Sequence, residues 1–187
     1  MAKASLHFDL PDSGATEILG AALARTFPGS DVDTRAGTGT GARVGAVVHL
    51  RGELGSGKTT CARSLLHALG VTGTVRSPTY TLVDTYSISD SHGPTLNCVH
   101  VDLYRVQSSA EVEELGLRDL TGPGYLMLIE WPEKGGSAVP PADLDLELQY
   151  AGEARAGSAR AASDVGRRWL EKLSLDSSLT PYVSNLT

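Results

Sequence analysis

Short apolar runs and alternating stretches predict β-strands along most of the chain. The continuous apolar runs Val44–Leu50 and Tyr125–Glu130 are typical of buried strands. Alternation in residues 143–150 predicts an antiparallel or edge strand, and residues 155–162 are its expected partner. The remaining predicted strands are residues 5–11, 79–88 and 95–104.

Apolar residues spaced three and four apart predict helices between these strands. Residues 12–27 form the first predicted helix, residues 108–117 a short one capped by Ser108 or Ser109, and residues 164–173 the last. The helix that follows the glycine-rich segment has four apolar residues on one face and a glycine at its end: Ala62, Leu65, Leu66, Leu69 and Gly70. Strands that alternate with helices predict an α/β fold, here with a mixed sheet.

The length of 187 residues suits a single domain, which we predict to span residues 1–173. Residues 28–43 are rich in Gly, Thr and Asp and are predicted to be a flexible insertion rather than a linker between domains. After Leu173 the pattern ends, so residues 174–187 are expected to fray.

Composition and charge exclude several classes of protein. Hydrophobic residues make up 41% of the chain, charged residues make up 20%, and the formal net charge is −6. This charge disfavours strong nucleic-acid binding by the chain alone, because affinity for phosphate backbones comes from Lys and Arg. Cys61 and Cys98 lack metal-ligand spacing and indicate neither zinc nor a disulfide framework. The N-terminus lacks the pattern of a signal peptide, so a cytoplasmic protein without a membrane segment is expected.

The segment GELGSGKTT carries the clearest chemistry. Gly52, Gly57, Lys58 and Thr59 have the G-x-x-x-x-G-K-[ST] spacing of a phosphate-binding P-loop. Its glycines let backbone N–H groups approach phosphate oxygens, its lysine contacts the β/γ-phosphates, and its threonine hydroxyl is a ligand of Mg²⁺. The preceding strand and following helix are the required setting. The fold class expected is therefore a P-loop NTPase-like three-layer fold.

Two acidic residues at strand ends are candidates for directing Mg²⁺ or water. Asp102 ends the run LNCVHVD, and Glu130 ends YLMLIE. Ligands bind at the carboxyl ends of strands in open α/β sheets, so we expect both to reach the P-loop edge. Solvated carboxylates at strand ends are the simpler reading of each. The hydroxyls of residues 77–82 suggest a loop that senses the γ-phosphate, although a plain polar turn has the same pattern.

Four motifs together resemble one family. GELGSGKTT, SPTYTLV, HVDLYR and IEWPEKG occur in this order and at intervals that closely resemble the bacterial TsaE (YjeE) family, over roughly Ser5 to Leu173. The segment 28–43 departs from the family, which usually has a short turn there. The resemblance implies an ATPase, weak alone and stimulated by partners, required for N6-threonylcarbamoyladenosine at position 37 of tRNAs that read ANN codons.

The resemblance also implies roles for individual residues. It implies that Asp102 acts in hydrolysis together with Lys58, and that Thr59 and Glu130 direct Mg²⁺. The switch-like loop contains Ser77, Pro78, Thr79 and Thr81. The residues implied to contact ATP are Thr16, Gly55, Ser56, Gly57, Lys58, Thr59, Thr60, Trp131 and Arg155. The implied partners are a TsaD-like transferase and a TsaB-like scaffold, with tRNA reached only through their complex.

Three other functions share parts of this pattern. A small-molecule kinase needs an arginine-rich lid, which the sequence does not offer. A GTPase switch needs an N-K-x-D guanine reader, which is absent, and the D-x-x-G match at residues 119–122 is a loose pattern. A non-catalytic, nucleotide-gated adaptor stays open, since no substrate pocket is evident from the sequence.

Overall fold

The computed structural model describes residues 5–30, 43–89 and 94–184. The helices there are α1 (Ser13–Thr26), α2 (Lys58–Leu69), α3 (Ser109–Glu114) and α4 (Asp164–Leu173). The strands are β1 (Ser5–Leu10), β2 (Ala46–Arg51), β3 (Val83–Ile88), β4 (Leu96–Asp102), β5 (Tyr125–Glu130), β6 (Leu144–Ala151) and β7 (Ala154–Ala161). Among the described helices, none has the length and apolar character needed to span a membrane.

The strands form one mixed sheet in the order β1-β7-β6-β2-β5-β4-β3. Strands β6, β2, β5 and β4 run parallel to one another, whereas β1, β7 and β3 pair antiparallel with their neighbours. The mixed sheet and the pairing of β6 with β7 are confirmed. Strand β6 is not at an edge, however, because its other side pairs in parallel with β2.

Helices and short turns cover both faces of the sheet. On one face α1, α2 and α4 pack on the sheet and bury large side chains such as Phe8, Phe27 and Trp169. On the other face α3 and short turns cover apolar residues of β2, β4 and β5. Cys61 and Cys98 are buried free thiols, and burial raises the pKa of each to about 12.

Strand β3 begins later in the structure than the sequence predicts, because local hydrogen bonds form a turn before it. The sequence predicts a strand from Thr79, but β3 begins at Val83. Leu82 has a φ of 63°, in the left-handed region, and its N–H donates to the carbonyl of Pro78 at 2.7 Å. Residues 79–82 therefore form a turn, which a period-2 pattern does not distinguish from a strand start.

The expectation of a frayed C-terminus is wrong for residues 174–184. Leu179 is completely buried in the core beneath α1 and α4. The N–H of Asp9 donates to the carbonyl of Tyr182, and the N–H of Ser184 donates to the carbonyl of His7, each at 2.8 Å. This segment extends the domain beyond Leu173. Residues 185–187 and most of the predicted insertion, residues 31–42, lie outside the described residues.

The packing of Leu179 predicts a measurable contribution to stability. Leu179→Ala should lower the free energy of unfolding in urea by about 2–5 kcal/mol, because it leaves a cavity in the core. The matched control is Leu175→Ala, since Leu175 is 83% exposed; its effect should stay within about 0.5 kcal/mol. Equal effects of the two substitutions would show that the C-terminal segment does not pack as described.

Candidate functional site

The P-loop connects β2 to α2 and has the backbone of an anion site. Gly52 has a φ of 131°, and a Cβ there would lie 1.9 Å from the carbonyl oxygen of Leu148, so only glycine fits. Helix α2 begins at Lys58, and no side chain of the described residues caps its first N–H groups. The buried Ser56 hydroxyl also has no hydrogen-bond partner in residues 5–30, 43–89 and 94–184. Free donors at a helix N-terminus are the groups that bind phosphate.

Lys58 is held inside the loop by two carbonyls and an indole ring. Its Nζ donates to the carbonyl oxygens of Gly52 at 2.7 Å and Glu53 at 2.8 Å. It also lies 4.0 Å from the ring centroid of Trp131, a cation–π distance. Burial lowers the pKa of Lys58, while the negative charges of nearby acids, Glu130 foremost, raise it. A phosphate would replace the carbonyls as a stronger, charged acceptor.

Glu130 lies directly beside the first turn of α2. The Thr59 hydroxyl donates to the Glu130 carboxylate and lies 2.9 Å from both of its oxygens. Glu130 ends β5 next to Leu50, the penultimate residue of β2, because the two strands are in register there. A hydroxyl and a carboxylate are oxygen ligands that suit Mg²⁺ when substrate phosphates supply others. The residues present therefore fit the ion that the P-loop implies.

Asp102 is the register partner of Glu130 but contacts a different segment. Its Oδ2 accepts hydrogen bonds from the hydroxyls of Ser77 and Thr79, the latter at 2.9 Å, and its Oδ1 accepts from the N–H of Tyr104 at 2.9 Å. The carboxylate thus ties the loop before β3 to the end of β4. The two acids meet at one edge, as expected from the sequence, and differ in their partners.

The structure brings most of the sequence-predicted residues together around one cavity of 260 Å³. Its lining includes residues of the P-loop, both acids, Trp131 and the loop before β3. A larger adjoining cavity of 760 Å³ shares Leu54, Tyr104 and Trp131 with it. Predicted site residues on the lining of the smaller cavity are Gly55, Gly57, Lys58, Thr59, Thr60, Ser77, Thr79, Asp102, Glu130 and Trp131.

Five predicted residues lie outside this lining, and one of them is Ser56, whose side chain is completely buried. Thr16 is buried in α1, with its methyl carbon 3.3 Å from the Cβ position of Gly57, so it packs behind the loop. Arg155 contacts the ring of Tyr150. The exposed Thr81 donates to Asp84 at 3.2 Å, away from Asp102. Pro78 is buried and contributes its carbonyl to the turn described above.

His100 is a site residue that the sequence reasoning missed. Its side chain is completely buried, and its Nε2 lies 2.9 Å from Oε1 of Glu130. The available signal was the strand period: His100 is two residues before Asp102, so both side chains lie on the same face of β4. Recognising its partner requires the register of β4 with β5, which the sequence alone does not provide.

Comparisons with known proteins agree with this geometry. A family model described as "Threonylcarbamoyl adenosine biosynthesis protein TsaE" matches residues 10–160. The chain belongs to the TsaE family. The resemblance inferred from the four motifs is thereby confirmed, and the matched TsaE region contains the P-loop, Asp102 and Glu130.

Individual TsaE relatives and a solved structure extend the match. The "tRNA threonylcarbamoyladenosine biosynthesis protein TsaE" of Haemophilus influenzae is 38% identical over 128 residues, which are 68% of this chain and 78% of that protein. Its namesake in Streptomyces coelicolor is 37% identical over 68% of this chain and 85% of that protein. The crystal structure of Bacillus subtilis YdiB aligns with a TM-score of 0.67 and 26% identity over 93% of this chain and 96% of that one. The α/β P-loop NTPase-like fold is confirmed.

The contacts of Asp102 predict how firmly the loop before β3 is held. Asp102→Ala should speed trypsin cleavage at the exposed Arg76 by about tenfold or more, since hydrogen bonds to a charged group contribute about 1.5–3 kcal/mol each. Asp84→Ala is the control, because it removes only the bond from Thr81. Indistinguishable cleavage rates for all three proteins would contradict the idea that Asp102 holds this loop.

Proposed function

We propose that this TsaE-family protein binds and hydrolyses Mg²⁺·ATP in the formation of N6-threonylcarbamoyladenosine at position 37 of tRNAs that read ANN codons. The observation that carries the proposal is the convergence of Lys58, Glu130 and Asp102 on one cavity beside the uncapped start of α2. These are the parts that phosphoryl transfer from a nucleoside triphosphate needs. The names of the relatives supply the biological pathway.

The P-loop would bind the phosphates of ATP. The backbone N–H groups at the start of α2 would donate to phosphate oxygens. Lys58 would leave the carbonyls of Gly52 and Glu53 for the β/γ-phosphates. Thr59 and Glu130 would hold Mg²⁺, which when bound neutralises charge that develops on the phosphates. Adenine is expected over guanine, since the sequence contains no N-K-x-D tetrad.

Asp102 would act on the water that attacks the γ-phosphorus. Its carboxylate can orient this water and accept its proton as ADP leaves. The carboxylate oxygen Oδ2 is engaged by the hydroxyls of Ser77 and Thr79, so a movement of the loop would free this oxygen for water. Hydrolysis would therefore depend on the position of the switch-like loop. This dependence supports an ATPase that is slow alone and faster when a partner moves the loop.

The partners proposed are a TsaD-like transferase and a TsaB-like scaffold, whose cycle ATP hydrolysis would drive or reset. Two large side chains are exposed and available for a protein contact: Leu54, which lines the cavity, and Tyr80, which follows Thr79 of the lining. Leu54 is 67% exposed and Tyr80 is 83% exposed. The guanidinium of Arg105 lies 4.3 Å from the ring centroid of Tyr80, which links the loop to the segment after β4. Contact with tRNA would occur only through the complex.

Asp102→Asn separates binding from hydrolysis. The amide keeps the size of the side chain but is a weak proton acceptor without charge, so ATP binding should persist while single-turnover hydrolysis slows by roughly 10²–10⁴-fold. Repeated tRNA modification with the partner pair should fail. The matched control is Asp84→Asn on β3, whose side chain bonds Thr81 and does not line the cavity.

Three results would contradict parts of this proposal. Hydrolysis by Asp102→Asn at the parent rate would refute the role of Asp102 and make Glu130 the leading candidate. Unimpaired tRNA modification without hydrolysis would favour a nucleotide-gated adaptor. Phosphorylation of an added small-molecule acceptor by the parent protein would favour a kinase.

A further inference from the structure

His100 is a buried polar residue, and packing alone does not favour a histidine at its position. It is completely buried on β4, where the same face of the strand carries Cys98 of the apolar core. Burying an imidazole costs free energy unless its nitrogens are hydrogen-bonded. One nitrogen, Nε2, is paired with Glu130, and the other, Nδ1, has no hydrogen-bond partner within the described part of the chain. The hydrogen bond with Glu130 is therefore the interaction that offsets the free-energy cost of burying this histidine.

The hydrogen bonds fix the direction of donation. Glu130 Oε1 is a carboxylate oxygen that already accepts from Thr59, so the contact at 2.9 Å requires a proton on Nε2 of His100. His100 thus donates from Nε2 to the Glu130 carboxylate.

This bond constrains the orientation of the Glu130 carboxylate. The single hydroxyl proton of Thr59 lies between the two carboxylate oxygens, each 2.9 Å from its Oγ1, whereas His100 contacts Oε1. Because Nε2 of His100 holds Oε1, the carboxylate cannot rotate freely and keeps its place on the lining of the cavity. We infer that His100 is a positioning residue that holds Glu130 ready for Mg²⁺. The inference rests on the proposed function, because Glu130 serves Mg²⁺ only there.

Removing the Nε2 donor of His100 should weaken the effect of Mg²⁺ on nucleotide binding. Nucleotide binding in the absence of Mg²⁺ should not change. Hydrogen-bond partners of metal ligands typically contribute about 10–100-fold to metal affinity or activity. In His100→Leu the donor is absent and the apolar volume is largely kept. ADP affinity measured by calorimetry in EDTA should then stay within about twofold of the parent, whereas the gain in affinity on adding Mg²⁺ should fall by about tenfold or more.

Two further variants separate the hydrogen bond from general effects on folding. The side-chain amide of His100→Gln places an N–H close to the position of Nε2 and should restore most of the Mg²⁺ effect. His49→Leu is the matched control, because His49 is also buried in the sheet but its Nε2 contacts the carbonyl of Pro140 instead. The His49→Leu substitution should leave the Mg²⁺ effect unchanged.

Mn²⁺ binding to the ADP complexes, followed by electron paramagnetic resonance, gives a second readout that does not depend on hydrolysis.

The outcomes distinguish this inference from the proposed function. A parent-like Mg²⁺ effect in His100→Leu, or equal losses in His100→Leu and His100→Gln, would overturn the role of the Nε2 donor while the ATP site stands. A loss in His49→Leu as large as in His100→Leu would assign the effect to folding and overturn it too. Failure of the parent protein to bind ADP under either condition would refute the proposed function, and the inference with it.

Discussion

The site depends on one constraint: three adjacent parallel strands end at the same edge of the sheet. Strands β2, β5 and β4 are in register near their carboxyl ends, so Leu50 lies beside Glu130, and Glu130 lies beside Asp102. Because β2 continues into the P-loop, this register brings both acids to the start of α2. A shift of one residue in either strand would turn its acid to the opposite face of the sheet. The apolar packing of both faces prevents such a shift.

Neighbouring groups then give the two carboxylates different properties. Glu130 is held by a helix hydroxyl and a buried imidazole, both on rigid elements. Asp102 is held by hydroxyls of a loop and by one backbone N–H. A carboxylate fixed by rigid elements suits a metal ion, which needs a preset geometry. One held by a loop can change its partners when the loop moves, which suits an acid that acts on water only at one stage of a cycle.

Local patterns in the sequence were sufficient for the elements and for the chemistry nearest the P-loop. The glycine spacing, the apolar face of α2 and the acids at strand ends depend on residues close together in the chain. The turn at residues 79–82 was missed, because the left-handed Leu82 depends on contacts with Pro78 and with β4. The ordered structure of residues 174–184 and the contact between His100 and Glu130 were missed for the same reason. Each depends on a contact between residues distant in sequence.

The central claim is that Lys58 exchanges the carbonyls of Gly52 and Glu53 for nucleotide phosphates. Calorimetric titration of Mg²⁺·ATP into the parent protein and Lys58→Ala tests it most directly, with the exposed Lys134→Ala as the control. Loss of a charge-assisted contact worth about 1.5–3 kcal/mol predicts that Lys58→Ala binds ATP at least about tenfold more weakly, with Lys134→Ala unchanged. Equal affinity of Lys58→Ala and the parent would contradict the assignment of this loop as the nucleotide site.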